Sequence, residues 1–247
     1  MLQPNLLYLG DCLDIMQSIE DKSVDMILCD LPYGVTARNK WDCIIPFDKL
    51  WEAYERIIKD NGAIVLTASQ PFATELIHSN LKLFKYCWVW NKKKAGNIFL
   101  AKYQPMKIHE DIVVFSKKTH KYNPIKTPRD KIKRSKNYGT GEAMGGDRKK
   151  EDKVYEYTDK NPVSIIEVSN AVQKGKIHPT QKPVELFEYL IKTYTDEEDI
   201  VLDNCMGSGT TAIACINTNR NYIGFELDPT YCGIANKRIQ DIISKIQ

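Results

Sequence analysis

Short apolar runs rich in β-branched residues alternate along the chain with stretches whose apolar positions recur every three to four residues. The runs at residues 6–9, 24–29, 63–68, 84–90, 111–115, 200–203 and 222–225 are predicted strands. Residues 47–59 place Leu50, Tyr54, Ile57 and Ile58 on one helical face, and 184–194 do the same with Phe187, Leu190, Ile191 and Tyr194, with Pro183 suited to opening that helix. A last helix from Pro229 to about Ile246 repeats the pattern through Ile234, Ile239, Ile242, Ile243 and Ile246. Strands that alternate with helices predict an α/β fold: one mostly parallel, seven-stranded, Rossmann-like sheet with helices on both faces.

The pattern fails over residues 117–176, which are polar, basic and punctuated by Pro124, Pro128, Gly139, Gly141, Gly145, Gly146 and Pro162. So long a stretch without periodicity is expected to be a structureless functional insertion. It divides the domain into a first half at 1–116, the insertion at 117–176 and a second half at 177–247. The 247 residues suit one large domain better than two.

Charge sharpens this division. Residues 85–150 hold 18 Lys and Arg against 5 Asp and Glu, so a chain of net charge +3 carries +13 in one segment and −10 elsewhere. A lysine-rich loop often serves solubility alone. Here the charge is interleaved with Trp88, Trp90, Phe99, Tyr103, Tyr122 and Tyr138, a mixture suited to phosphate contact and base stacking. The seven cysteines are odd in number and scattered without ligand spacing, so reduced thiols and no metal are expected. Neither a membrane span nor a signal peptide is visible, which points to the cytoplasm and to no membrane partner.

Three constellations each follow a predicted strand, where ligands bind in open α/β sheets. In DIVLDNCMGSGTT (199–211), an apolar strand meets Gly207-Ser208-Gly209 and a helix opens at Thr210. Such a turn lets backbone approach a ligand, and the helix start offers free N–H groups, although a plain tight turn has the same look. About twenty residues on, Glu226 ends the next strand, where an acidic side chain grips ribose hydroxyls. A nucleoside-containing ligand follows, and the incomplete glycine spacing disfavours a nicotinamide dinucleotide. In VDMILCDLPYGV, Asp30-Leu31-Pro32-Tyr33 directly follows a strand. An Asp-X-Pro turn is common as structure, yet a carboxylate, an extended backbone and a ring in succession suit amine chemistry on a flat base. The third, KIHPTQKPVEL (176–186), is a basic, proline-framed helix entry and a candidate lid over a cofactor.

Together these elements resemble the DNA amino-methyltransferases. Asp30-Leu31-Pro32-Tyr33 is similar to their DPPY box, 203–211 to their DPFxGSGT cofactor loop, and His178-Pro179-Thr180-Gln181-Lys182-Pro183 to their HPTQKP element. Gly10-Asp11-Cys12 resembles the family's opening GDC, and His109-Glu110 its HE-hydrophobic stretch. The order of motifs is that of the β class. Leu31 stands in place of the first proline, and Asn204-Cys205 in place of Pro-Phe, the phenylalanine that packs on the cofactor's adenine.

The resemblance implies S-adenosylmethionine as cofactor and double-stranded DNA as substrate, with a cognate restriction endonuclease and a homodimer as candidate partners. It implies neighbouring strands ending at Asp11, Glu226, Asp203 and Asp30. Asp30, Leu31, Pro32 and Tyr33 would be the catalytic set. Glu226 would hold the ribose, Asp11 the adenine amino group, and Gly207, Thr210 and the turn of His178, Thr180 and Lys182 the methionine portion. Cys12, Asp203, Asn204, Cys205, Ser208, Gly209, Thr211, Leu227 and Asp30 itself complete the cofactor set. Asp at the head of the box, where related cytosine enzymes more often carry Ser, points to adenine N6 ahead of cytosine N4. A methyltransferase of RNA bases or of protein glutamine, and a non-catalytic DNA-binding protein on this scaffold, are the other readings.

Overall fold

In the computed structural model, residues 2–34, 43–137, 151–170 and 181–246 are described. The buried strands supply side chains to two cores at once, which is why they read as unbroken apolar runs. In β2 (Val24–Cys29), Ile27 and Cys29 enter one core while Met26 and Leu28 enter the other. The same alternation holds in β3 (Ile58–Ala68), with Ile64 and Leu66 opposed to Ala63 and Val65, and in β5 (His109–Phe115), with Val113 and Phe115 opposed to Ile112 and Val114. The first core takes Met16 from α1 (Cys12–Met16), Leu50, Trp51 and Tyr54 from α2 (Phe47–Ile57), and Phe72 and Leu76 from α3 (Phe72–Ser79). The second takes Phe187 and Leu190 from α4 (Val184–Tyr194), Ala212 and Ala214 from α5 (Thr210–Asn217), and Ile239 from α6 (Pro229–Ile246).

The remaining strands of this sheet are β1 (Leu6–Leu9), β4 (Phe84–Asn91), β8 (Ile165–Glu167), β9 (Ile200–Asp203) and β10 (Asn221–Glu226). Their order across the sheet is β1-β10-β9-β2-β3-β5-β4-β8. Only β5 runs antiparallel to its neighbours. The strands ending at Asp11, Glu226, Asp203 and Asp30 are therefore side by side, and β3 and β4 end on the same edge.

The sheet has eight strands where the sequence predicts seven. The added β8 is three residues long, too short for periodicity to register, and pairs parallel with β4 through Val89, Trp90 and Asn91. Nor is the 117–176 segment structureless, because β6 (Thr127–Asn137) and β7 (Glu151–Lys160) form an antiparallel pair. Their apolar side chains, Ile132, Val154 and Tyr157 among them, are exposed. A ribbon with no buried face has no reason to alternate apolar and polar residues, and the period-2 signal is missing for that reason. The chain divides into two compact units, Pro124–Val163 and the remainder.

Trp88 and Trp90 also depart from expectation. Both are core residues, with Trp88 donating its indole N–H to the Tyr194 hydroxyl (2.6 Å) and Trp90 donating to the Val168 carbonyl (2.9 Å). Neither is available to a base. Phe99 and Tyr103 are exposed, and Tyr138 lies outside the described residues. Among the described residues no helix is long and apolar enough to cross a membrane.

Candidate active site

Asp30 follows β2 directly, so a strand buried at every position but Asp25 fixes the backbone that carries it. One of its carboxylate oxygens, Oδ1, accepts from the Tyr33 hydroxyl at 2.9 Å and from the Thr67 hydroxyl, while Oδ2 accepts from the Lys182 ammonium at 2.6 Å. Tyr33 also lies 3.1 Å from the Thr67 hydroxyl. Burial, followed by the negative charges of Asp30 and Glu110, pushes the Tyr33 phenol well above its ordinary range, so it remains a donor. The Tyr33 ring stacks on Phe72, with centroids 5.0 Å apart and planes at 24°. Leu31 is buried in the first core, so its side chain serves packing.

Lys182 belongs to a chain of alternating charges. Its ammonium lies 3.5 Å from Glu110, whose other oxygen accepts from Lys92 at 3.0 Å. Burial acts to lower the Lys182 pKa, but the adjacent Asp30 and Glu110 outweigh it and the net shift is upward. The ammonium also lies 5.7 Å from the Tyr33 ring centroid. Among the expected cofactor ligands, Lys182 is thus the one whose charge is directed at the Asp30 carboxylate.

Along the same edge, the β9–α5 turn and the end of β10 are bound into one unit. The carboxylate of Glu226 accepts from the N–H groups of Gly207 (2.7 Å) and Asp228 (2.9 Å), and the Met206 N–H donates to the Phe225 carbonyl (2.8 Å). Gly209 has φ +83°, and a Cβ there would sit 3.2 Å from the Cβ of Ala235, so both backbone angle and packing against α6 require glycine. Among the described residues no side chain caps α5, so its first-turn N–H groups have no capping acceptor. Arg238 donates to the Ser208 carbonyl, and the Thr210 hydroxyl lies 3.5 Å from the Lys182 carbonyl.

Asp203 is buried beneath this turn, where Oδ1 accepts from the Cys205 N–H (3.0 Å) and Oδ2 from the Thr211 hydroxyl. Burial pushes its pKa up to about 6, against the hydrogen bonds that lower it. Asn204 accepts from the Tyr54 hydroxyl and turns its amide N–H toward Cys12 and Cys205. Both polar residues hold the turn from below. Asp11 caps α1 by accepting from the Leu13 N–H at 2.8 Å, and Leu227 is exposed beyond β10. His178 and Thr180 lie outside the described residues.

Sequence reasoning missed Thr67, Phe72 and the ion pairs that link Lys92 through Glu110 to Lys182. Thr67 had one available signal: it is a hydroxyl in an otherwise apolar strand, fully buried and therefore in need of a partner.

The chain is similar in sequence and fold to known proteins. M2.MboI, a type II methyltransferase of Moraxella bovis, is 28% identical over 263 residues, spanning 96% of this chain and 88% of its own. The crystal structure of the M1.HpyAVI–SAM complex superposes with a TM-score of 0.64 at 25% identity, covering 94% of this chain and 98% of that one. The PvuII cytosine-N4-specific DNA methyltransferase shares the fold, with a TM-score of 0.68, 16% identity, and coverage of 97% and 91%. Residues 24–237 match the N6/N4 methyltransferase family described as DNA methylase, a span that runs from the first residue of β2 into α6 and takes in nearly the whole sheet. The chain belongs to the N6/N4 DNA methylase family.

Proposed function

We propose that this protein transfers a methyl group from S-adenosylmethionine to the exocyclic amino nitrogen of a flipped-out base in double-stranded DNA, at N6 of adenine. The observation that carries the reading is the anchored carboxylate of Asp30 on the sheet edge that also bears Glu226 and the glycine turn. Those residues fit the cofactor: Glu226 keeps lone pairs for ribose hydroxyls after accepting two backbone N–H groups, and the uncapped start of α5 faces a carboxylate favourably. When bound, S-adenosylmethionine supplies an electrophilic methyl carbon on a positively charged sulfur.

The amino nitrogen of a base is a poor nucleophile because its lone pair is conjugated with the ring. Asp30 and the Leu31 carbonyl would each accept one amino hydrogen, turning the lone pair out of the ring plane. As the new N–C bond formed in place of the methyl–sulfur bond, whose electron pair would stay on sulfur, positive charge would grow on nitrogen beside the Asp30 carboxylate, which would stabilise it by accepting a hydrogen bond from the amino proton that is afterwards lost to solvent. Such a charge-assisted bond is worth about 1.5–3 kcal/mol, so Asp30→Ala should lower kcat by about tenfold to a hundredfold. The Tyr33 ring, backed by Phe72, offers the base a stacking surface.

We assign target recognition to the 117–176 insertion. Its β6–β7 ribbon carries Lys126, Arg129, Lys131, Lys133 and Arg134 within or beside one strand, and a two-stranded ribbon fits the major groove. Expression in a host free of DNA methylation, followed by mapping of modified bases, tests the whole reading. N6-methyladenine in one sequence context is the expected result; N4-methylcytosine would replace the base assignment, and unmodified DNA would end the reading.

A further inference from the structure

Between β4 and β5 the chain leaves the catalytic edge of the sheet and returns to it through residues 92–108. The segment is ordered by its own backbone: Lys92 N–H donates to Ile108 O (2.8 Å), Gly96 N–H to Lys107 O (2.8 Å) and Gln104 N–H to Leu100 O (3.0 Å), around a single 3-10 turn at Ile98–Leu100. It contains five lysines and no acidic residue. Three of the lysines hold the stem, with Lys92 on Glu110, Lys93 on Glu167 and Lys107 on Ser69. Lys94 and Lys102 make no ion pair among the described residues. Between those two, the loop displays Phe99 at 93% exposure and, just beyond, Tyr103 at 85%.

Large apolar side chains held in water on an ordered loop have no packing role in this chain, and contiguous exposure of this kind marks an interaction surface. The sign of the surrounding charge selects a polyanion. Two further facts select the duplex at the target position. The loop is rooted in the charge chain that ends on Asp30, through Lys92, Glu110 and Lys182. It also rises from the strand ends at which the base must arrive. A base drawn out of the helix leaves a gap between its neighbours, and exposed apolar or aromatic side chains flanked by cations are the means by which proteins fill such gaps.

We propose that residues 92–108 form a wedge that enters the duplex beside the target base, with Phe99 and Tyr103 occupying the vacated stack and Lys94 and Lys102 on the flanking phosphates. The proposal rests on the base-flipping reading above. It predicts that the loop acts on opening the duplex and has no part in methyl transfer itself.

The test compares the wild type with Phe99→Ala, Tyr103→Ala and the double variant on three oligonucleotides carrying the mapped site: the paired duplex, the same duplex with the target base mispaired, and the single strand. The double variant should lose at least about tenfold in kcat/KM on the paired duplex, regain near wild-type rates on the mispaired and single-stranded forms, and bind S-adenosylmethionine unchanged. Equal losses on all three substrates, or no loss on the duplex, would overturn the wedge. If Phe99→Ala converts a dimer to a monomer in sedimentation and slows all three substrates alike, the surface belongs to a second copy of this chain and the proposal fails. Failure of the parent reading is separately visible, because the wild type would then methylate none of the three.

Discussion

Replacing Lys182 by methionine removes a charge while nearly preserving side-chain volume, and it separates two accounts of this residue. The side chain is 9% exposed and its two carboxylate partners, Asp30 and Glu110, are 26% and 16% exposed. Removing one member of a buried ion pair typically costs 3–5 kcal/mol, because the partner's charge is left uncompensated. Two features pull the cost to the low end: Asp30 keeps the Tyr33 and Thr67 hydroxyls, and Glu110 keeps Lys92. A loss of about 3 kcal/mol would lower Tm by about 6–12 °C in a domain of this size.

The raised pKa of Lys182 means that its stabilising contribution is fully present below the ordinary lysine range and lost only as pH climbs through the elevated value, so the deficit should be constant between pH 6 and 9. Denaturant unfolding of Lys182→Met, Asp30→Asn and the double variant gives the coupling directly. We expect the second substitution to cost at least 1 kcal/mol less in the background of the first, well outside the roughly 0.5 kcal/mol within which uncoupled sites add. Additive costs would refute the ion pair. Wild-type stability combined with a large loss of S-adenosylmethionine affinity would return Lys182 to the cofactor's methionine portion.

Substitutions at three more positions probe the rest of the edge. Asp203 has a folded pKa of about 6 against an ordinary 3.8, so its unfavourable contribution is absent below about pH 4, grows through that window and is complete above pH 6; Asp203→Asn should gain up to about 3 kcal/mol at neutral pH relative to its value at pH 4, and parallel stability curves for the two proteins would contradict this. Tyr33→Phe keeps the ring on Phe72 but removes the donor to Asp30, so it should cost about 1 kcal/mol of stability and several-fold in kcat, whereas Tyr33→Ala should weaken base capture with cofactor affinity intact; a collapse of cofactor affinity would mean that the ring is misassigned. Glu226→Gln puts an amide donor against the N–H of Gly207 or Asp228 and should weaken S-adenosylmethionine binding at least about tenfold by calorimetry; unchanged binding would move the ribose elsewhere.

The sheet was legible in the sequence wherever burial imposed a pattern. Strands feeding two cores must be apolar throughout, and helices covering one face must be apolar every third or fourth residue, so β2, β5, α4 and α6 announce themselves. Legibility ended where burial ended. The solvated ribbon of β6 and β7 satisfies its backbone by pairing and asks nothing of its side chains, while β8, at three residues, is too short to repeat any pattern. Trp88 and Trp90 misled for the converse reason: aromatic residues among lysines read as a nucleic-acid surface, yet successive strand residues face opposite ways, so residues two apart share a face, and both indoles lie inside while the lysines follow in the loop.

The site divides along the same line, and the division explains why motifs alone stop short of a mechanism. Asp30, Tyr33, Gly207 and Glu226 could be nominated from sequence because each lies at or just after a strand end, where local backbone demands and the proposed chemistry coincide. Thr67, Phe72 and Lys92 come from three other segments and have no local signature, and Glu110, marked by its motif but not by a role, comes from a fourth; what they contribute is a donor, a ring or a charge delivered across the sheet. Their necessity follows from one physical condition. A carboxylate that must hold one orientation while an amine approaches cannot rely on water, which reorganises; it needs fixed donors, and fixed donors need burial and partners of their own. Thr67 is fully buried in β3, Tyr33 is braced on Phe72, and Lys182 is shared with Glu110, which is shared with Lys92. The Asp30 box is thus one end of a charge and hydroxyl network that reaches through Thr67 on β3 and Glu110 on β5 to Lys92 at the end of β4, and substitutions along that network should change Asp30 without touching the substrate.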